Sequence, residues 1–71
     1  MKIISTTDLS RDGTDCFIHE SISLVEQFEM YFIIKCWKVV GWSSAEEVEI
    51  VFTSDNLGKV TEKYYDLGGK L

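Results

Sequence analysis

MYFIIKCWKVV, residues 30–40, is almost continuously apolar, is rich in aromatic and β-branched side chains, and contains neither glycine nor proline. Such a run is typical of a β-strand that is covered on both faces. Alternate side chains of a strand point to opposite faces. One face would carry Phe32, Ile34, Cys36 and Val40. The other would carry Tyr31, Ile33, Trp37 and Val39, together with Lys35. The fold then depends on what covers each face.

The size of the chain limits how much cover it can supply. Its 71 residues, 1–71, predict a single domain without internal repeats or low-complexity segments. A domain of roughly 60 residues buries only about 60% of its unfolded surface, so small domains often gain stability from disulfides, metals or oligomerisation. The stretch at 30–40 therefore indicates either a well-placed second layer or a second copy of the chain.

The segments before this stretch predict further strands. Residues 1–5 predict a short edge strand, and residues 6–15 predict a polar loop with a turn at Arg11-Asp12-Gly13, because Asp-Gly favours turns. Residues 16–28 fit both a strand and an amphipathic helix. Their serines and β-branched residues are weak helix formers. A strand is therefore favoured, with a bend near Glu26-Gln27.

The segments after it predict a β-hairpin. Residues 41–46 predict a turn, and residues 47–53 alternate as a strand does. One face of that strand would carry Val48, Ile50 and Phe52. The other would carry Glu47, Glu49, Val51 and Thr53. Residues 54–58 are dense in turn formers. A second strand over residues 59–65, where Thr, Val and Tyr favour the β conformation, would complete the hairpin.

A C-terminal helix over residues 55–67 is the alternative to the second hairpin strand. Asp55 would cap this helix, and Gly68-Gly69 would end it. Helical spacing would align Leu57, Val60, Tyr64 and Leu67 on one side. Gly58 inside the helix would cost up to about 1 kcal/mol, so the hairpin is favoured and the helix stays open as an interpretation.

These elements predict a mainly β fold, a small antiparallel β-meander that is curled or sandwich-like. The alternative is an α+β fold in which one helix packs on an antiparallel sheet of three or four strands. The two folds differ in what covers the second face of the strand at 30–40. A helix covers it within one chain, whereas a pure meander needs strong curling or a partner.

The charge of the chain restricts its partners. The formal net charge is -5. An acidic surface repels phosphate, so direct nucleic-acid binding is not expected, whereas encounter with a basic surface of another protein is favoured. Residues 30–40 are too short for a membrane helix, and the N-terminal residues lack the pattern of a signal peptide. We therefore expect a soluble, cytoplasmic protein that contacts no membrane.

No catalytic, cofactor or metal motif stands out, and we expect neither an enzyme nor a bound cofactor. On a strand, His19 and Glu20 point to opposite faces and do not form a ready acid–base pair. Cys16, His19 and Cys36 offer one N or S ligand fewer than a structural zinc site normally takes. The two cysteines are expected to be reduced small hydrophobes, because a bridge needs facing strands with close Cα atoms.

Aromatic and acidic residues supply the candidate protein contacts. A tryptophan beside carboxylates is typical of an interface hot spot, and Trp42 lies in a predicted turn, where burial is difficult. The candidate protein-binding residues are Trp42, Glu46, Glu47, Glu49 and Tyr65. They predict a small acidic, non-enzymatic protein–protein interaction module. Its size and charge are those of inhibitors that cover a basic, nucleic-acid-binding surface, such as phage or bacterial anti-defence inhibitors. The alternative is a structural or assembly subunit that acts as a homo-oligomer, for example a homodimer.

Overall fold

The structure is a computed structural model that describes residues 1–12, 16–41 and 45–71. The elements in chain order are β1 (Lys2–Asp8), β2 (Arg11–Asp12), β3 (Cys16–Gln27), β4 (Met30–Gly41), β5 (Ala45–Ser54) and α1 (Leu57–Asp66). The strands form one antiparallel sheet in the order β1-β3-β4-β5, and β2 pairs with β3 beyond the end of β1. The β-meander is confirmed, and so is the alternative in which one helix packs on this sheet.

The hairpin of β3 and β4 is the centre of the sheet. Its register runs without interruption from Cys16 opposite Gly41 to Gln27 opposite Met30. Phe28 and Glu29 form the turn with φ of 53° and 63°, as a two-residue hairpin turn requires when both central residues are left-handed. The central strand predicted at 30–40 is confirmed, and the strand interpretation of residues 16–28 is confirmed over all but Phe28.

One face of the sheet packs against α1 and is named here the helix face. Its core is a cluster of fully buried side chains from β3, β4 and α1, namely Ile22, Leu24, Ile33, Val60 and Tyr64. Tyr31, Val51 and Phe52 are partly buried against this cluster. Burial of these apolar side chains is the main favourable contribution to folding.

The hairpin strand predicted at 59–65 is wrong, because these residues form α1. Strand propensity of Val60, Thr61 and Tyr64 is a weak local preference that tertiary burial can override. Helical spacing places Val60 and Tyr64 on the same side, and both are completely buried on the helix face. The cap is Asn56 rather than Asp55, since the Asn56 side chain accepts a hydrogen bond from the Lys59 backbone N–H at 3.1 Å.

The end of α1 follows the pattern predicted for the helical alternative. Gly68 has a φ of 95°, a left-handed value that glycine adopts without strain. Its N–H donates to the Tyr65 carbonyl at 3.0 Å, and the Gly69 N–H donates to the Tyr64 carbonyl at 2.8 Å. These two bonds satisfy the last carbonyls of the helix in the arrangement known as the Schellman motif.

The prediction that Val48, Ile50 and Phe52 share one face is also corrected. A register shift between Ile33 and Ile34 places Ile34 opposite Ile50 but Ile33 opposite Phe52. The irregularity inserts one residue into β5 and turns Phe52 towards the helix face. Val48 and Ile50 remain on the opposite face of the sheet.

The predicted loops are shorter than expected. Thr6 and Thr7 continue β1 instead of entering a loop, and their hydroxyls lie 3.1 Å from Ser23 Oγ and 2.8 Å from the Tyr64 hydroxyl. Strand β5 begins at Ala45, so the turn predicted at 41–46 is also too long. Gly13 of the predicted Asp-Gly turn lies outside the described residues, as do residues 42–44.

The two faces of β4 are covered unequally. On the helix face, α1 packs over the end that contains Tyr31 and Ile33, while Trp37 and Val39 lie outside the packed cluster. The other face is named here the open face. It consists mainly of Phe17, His19, Ser21, Ser23 and Val25 of β3, Phe32, Ile34, Cys36, Lys38 and Val40 of β4, and Glu46, Val48 and Ile50 of β5. Within residues 1–12, 16–41 and 45–71, no helix or second sheet packs on the open face, although Val25 of this face is only 2% exposed.

Candidate protein-binding surfaces

A groove on the helix face begins where α1 no longer covers the sheet. It has a volume of about 230 Å³ and is lined by Arg11, Ile18, Glu20, Lys35, Trp37 and Val39. Strands β2, β3 and β4 bring these side chains together, because Arg11 pairs with Ile18 while Ile18 pairs with Val39. The groove therefore combines an apolar floor with charged groups, a composition common in binding sites.

A charged triplet occupies one side of this groove. The Glu20 carboxylate contacts the Arg11 guanidinium, and the Lys35 Nζ lies 3.6 Å from its other oxygen. The hydrogen bond from Arg11 lowers the pKa of Glu20 below its ordinary value of 4.5, and the positive charge of Lys35 adds to this effect, against a smaller opposing effect of burial. The carboxylate is thus held in its charged form by the two cations.

The lowered pKa of Glu20 predicts a pH-dependent contribution to stability. Since the folded-state pKa lies below the unfolded value, the contribution is fully present above about 4.5 and is lost as pH falls through the folded pKa. Chemical denaturation of wild type and Glu20→Gln should show the wild-type advantage at neutral pH and its decline in acid. An advantage that stays constant across this range would contradict the prediction.

Two exposed carboxylates flank the groove on β5. Glu47 lies opposite Trp37 and Glu49 lies opposite Lys35 in the sheet register. Both glutamates are exposed, and among the described residues neither forms an ion pair, because Lys35 is bonded to Glu20. Trp37, half-buried, lies between Glu20 and Glu47 across the sheet. Two cations, Arg11 and Lys35, and three carboxylates, Glu20, Glu47 and Glu49, leave this end of the helix face with a tryptophan and one negative charge in excess.

The candidate binding residues do not form one site. Glu47 and Glu49 share the helix face, whereas Glu46 lies on the open face opposite Lys38. Tyr65 is on α1 and is 52% exposed. Trp42 lies outside the described residues.

Trp37 is the groove residue that sequence reasoning assigned to the core. Its pairing with Glu47 follows once the β4–β5 register is known, and alternation along β5 already places Glu47 and Glu49 on one face. What the sequence did not show is that α1 ends its cover before Trp37.

The open face is a second exposed surface with a different composition. Val48 is 60% exposed and Ile50 is 61% exposed, and Ile3 at the edge of the same face is 61% exposed. Phe32, Ile34 and Cys36 beside them are half-buried. Large contiguous apolar patches are rare on monomeric proteins and mark interaction sites.

Two of the residues considered for catalysis or metal binding, His19 and Cys36, lie on the open face, whereas Glu20 lies on the helix face. The His19 ring contacts the Phe17 ring edge-on, with centroids 4.5 Å apart, and a shallow groove of about 280 Å³ brings His19 and Cys36 to the same region. No group of three or more His, Cys, Asp or Glu within the described part of the chain could hold a metal ion.

The sheet register separates the two cysteines. Cys16 lies opposite Gly41, whereas Cys36 lies opposite Ser21, five positions further along β3. At about 3.3 Å per residue this offset is roughly 16 Å, well beyond the Cα separation that a disulfide allows. Cys36 is a free thiol.

Function is inferred from these surfaces, because comparison with known proteins gives no match. Neither a known protein family, nor a curated protein, nor a solved structure matches the chain. Across the described ranges, no helix combines the length and apolar character needed to cross a membrane.

Proposed function

We propose that this protein is a small acidic, non-enzymatic interaction module that binds a basic surface of another protein in the cytoplasm. The observation that supports this proposal is the uncovered end of the helix face, where half-buried Trp37 lies opposite exposed Glu47. Tryptophan contributes a large apolar contact area with one polar group and is enriched among residues that dominate binding energy.

The charges around Trp37 favour a basic partner. Arg11 and Lys35 offset Glu20 and one further carboxylate, so Glu47 and Glu49 together leave one negative charge in excess for a partner to meet. Carboxylates at the rim of an interface accelerate encounter with a cationic surface and discriminate against acidic ones. The same carboxylates repel phosphate, which argues against direct binding of nucleic acid.

The class of partner follows from this charge. Basic protein surfaces commonly serve to bind nucleic acid through lysine and arginine. A module of net charge -5 that docks on such a surface competes with the nucleic acid for it. The protein would then act as an inhibitor by occupation, as anti-defence inhibitors of phage or bacteria do.

The proposal predicts that charge reversal beside Trp37 weakens partner binding. The tagged protein would be used to capture partners from the source cell, and the affinity of the main partner would then be measured. Glu47→Lys combined with Glu49→Lys should weaken binding at least about tenfold, as loss of a hot-spot contact does. Trp37→Ala should have a comparable effect, and added salt should weaken wild-type binding.

A matched control tests whether position rather than total charge matters. Glu62→Lys combined with Asp66→Lys makes the same change in net charge at exposed positions of α1. This control should bind the partner nearly as well as wild type. If both double variants lose binding equally, or both retain it, the surface around Trp37 is not the binding site.

A further inference from the structure

We propose that the open face is covered by the open face of a second copy of this chain, so that two sheets pack as a symmetric β-sandwich. This surface is on the opposite side of the sheet from Trp37. The proposal is therefore independent of the function proposed above. The apolar part of this face is a square of side chains on β4 and the edge strand β5, in which Ile34 lies opposite Ile50 and Cys36 lies opposite Val48.

The apolar content of the open face needs cover. Val48 and Ile50 each expose more than half of their surface, at 60% and 61%. On the same face Phe17 and Val40 are 36% and 41% exposed. A sheet whose two faces are both apolar is normally packed on both. Helix α1 packs on the other face, so the described part of the chain leaves this one without a second layer.

The charged residues of the open face lie outside its apolar square. Lys38 and Glu46 lie directly opposite each other and compensate each other within the face. Asp8, opposite Ser21, and Asp12, opposite Phe17, add two acidic residues at the margin formed by β1 and β2. Two chains of net charge -5 repel one another in general. The square of Ile34, Ile50, Cys36 and Val48 carries no charge, so two copies can meet there without bringing like charges into contact.

The register allows a self-complementary arrangement. A two-fold axis above the middle of the square, midway between the two sheets and perpendicular to the strands, places Ile34 over Cys36 and Ile50 over Val48 of the other copy. Such an isologous contact is the usual form of a dimer interface. The charged row of Lys38 and Glu46 then lies roughly 20 Å along the strands from its counterpart, from a rise of about 3.3 Å per residue. That distance exceeds a Debye length of about 8 Å at physiological salt.

The available area is that of a reversible dimer. A contact four strands wide, at a spacing of about 4.8 Å, and eight residues long, at a rise of about 3.3 Å per residue, has an area of roughly 500 Å² per copy. The total buried by the two copies is about 1,000 Å², near the lower limit for specific interfaces. Aligned sheets pack about 10 Å apart with their strands within about 30° of one another. We therefore expect a dimer that dissociates on dilution.

Sedimentation and light scattering over a wide concentration range test the proposal on the intact chain. Wild type should reach the mass of a dimer at high concentration and of a monomer at low concentration. Ile50→Lys and, separately, Val48→Lys should raise the dimer dissociation constant at least about tenfold, because each replaces an apolar contact of the square with an unpaired charge. Both positions are largely exposed in one copy, so both variants should keep the circular dichroism of the folded chain.

Leu57→Lys is the matched control, since it makes the same kind of change at an exposed position of α1. It should leave the dimer intact. A wild type that stays monomeric at every concentration overturns the proposal, as does a dimer that Leu57→Lys weakens as much as Ile50→Lys. The proposal is also overturned if the wild type is monomeric and binds a different protein through a contact that Ile50→Lys removes. Binding of the basic partner is measured separately with the Glu47→Lys and Glu49→Lys variants. The dimer and the binding of a basic partner can therefore be refuted independently.

Discussion

Tyr64→Ala is expected to lower the free energy of unfolding by about 3–5 kcal/mol, the usual cost of removing a buried aromatic ring. Tyr64 is completely buried and belongs to the cluster that joins α1 to Leu24 and Ile33. Whole domains are stable by about 5–15 kcal/mol, and a chain of this size lies towards the lower end. The variant should therefore be largely unfolded at moderate temperature.

The hydroxyl of Tyr64 contributes separately from its ring. It lies 2.8 Å from Thr7 Oγ1, 3.2 Å from Ser5 Oγ and 3.3 Å from the Ile22 carbonyl oxygen. These partners are on β1 and β3, so the hydroxyl fixes the position of α1 on strands far away in the chain. Tyr64→Phe should keep the ring packing and cost about 1–3 kcal/mol through partners left unsatisfied.

Urea denaturation followed by circular dichroism measures both changes. Tyr65→Ala is the control, since Tyr65 is the next residue on α1 but is 52% exposed. Surface substitutions of this kind usually change stability by less than about 0.5 kcal/mol. If Tyr64→Ala cost no more than Tyr65→Ala, α1 would not be the layer that covers the helix face.

The β3–β4 hairpin could be predicted because its signals are local and agree. Residues 30–40 combine high β propensity with enough length for a buried strand. Residues 16–28 were ambiguous by periodicity, and composition decided correctly for the strand. The pairing of the two segments through the turn at Phe28 and Glu29 then fixes which residues share a face.

Helix α1 could not be decided from local signals. Val60 and Tyr64 favour a strand by propensity and a helix by spacing. The helix forms because this spacing buries both side chains on Leu24 and Ile33, and burial of this kind outweighs propensity differences of less than about 1 kcal/mol. That decision depends on the position of the sheet, which the segment itself does not encode.

The candidate site was limited in the same way. Sequence identified Glu47 and Glu49 as neighbours on one face, because alternation on a strand is local. It did not separate Glu46 from them as a residue of the open face, and it did not pair Trp37 with Glu47. Both facts depend on the β4–β5 register and its irregularity at Ile33 and Ile34. The position of α1, which only the tertiary structure sets, then decides which part of the helix face is free to meet a partner.

Gly69→Ala is expected to destabilise the fold by about 1–3 kcal/mol, the usual cost of overpacking a core. A Cβ at this position would lie 2.5 Å from Tyr64 Cδ2 and Cε2 and 2.7 Å from Cζ. The ring cannot move away easily, because it is fully buried and its hydroxyl is bonded to β1. The backbone cannot move easily either, since the Gly69 N–H donates to the Tyr64 carbonyl at 2.8 Å. Glycine at this position therefore allows the chain to cross the ring closely.

A double-mutant cycle with Tyr64→Leu tests this cause. Leucine lacks Cε2 and Cζ, so Gly69→Ala should cost less in that background than in wild type, with a coupling of at least about 0.5 kcal/mol. Lys70→Ala, at the adjacent exposed residue, should have almost no effect, because the backbone groups that bond Thr7 and Ser5 remain. Equal costs of Gly69→Ala in both backgrounds would place the strain in the backbone of the helix cap instead of the contact with Tyr64. A smaller cost of Gly69→Ala in the Tyr64→Leu background would show that the close approach of the C-terminal segment to Tyr64 helps to hold α1 on the helix face.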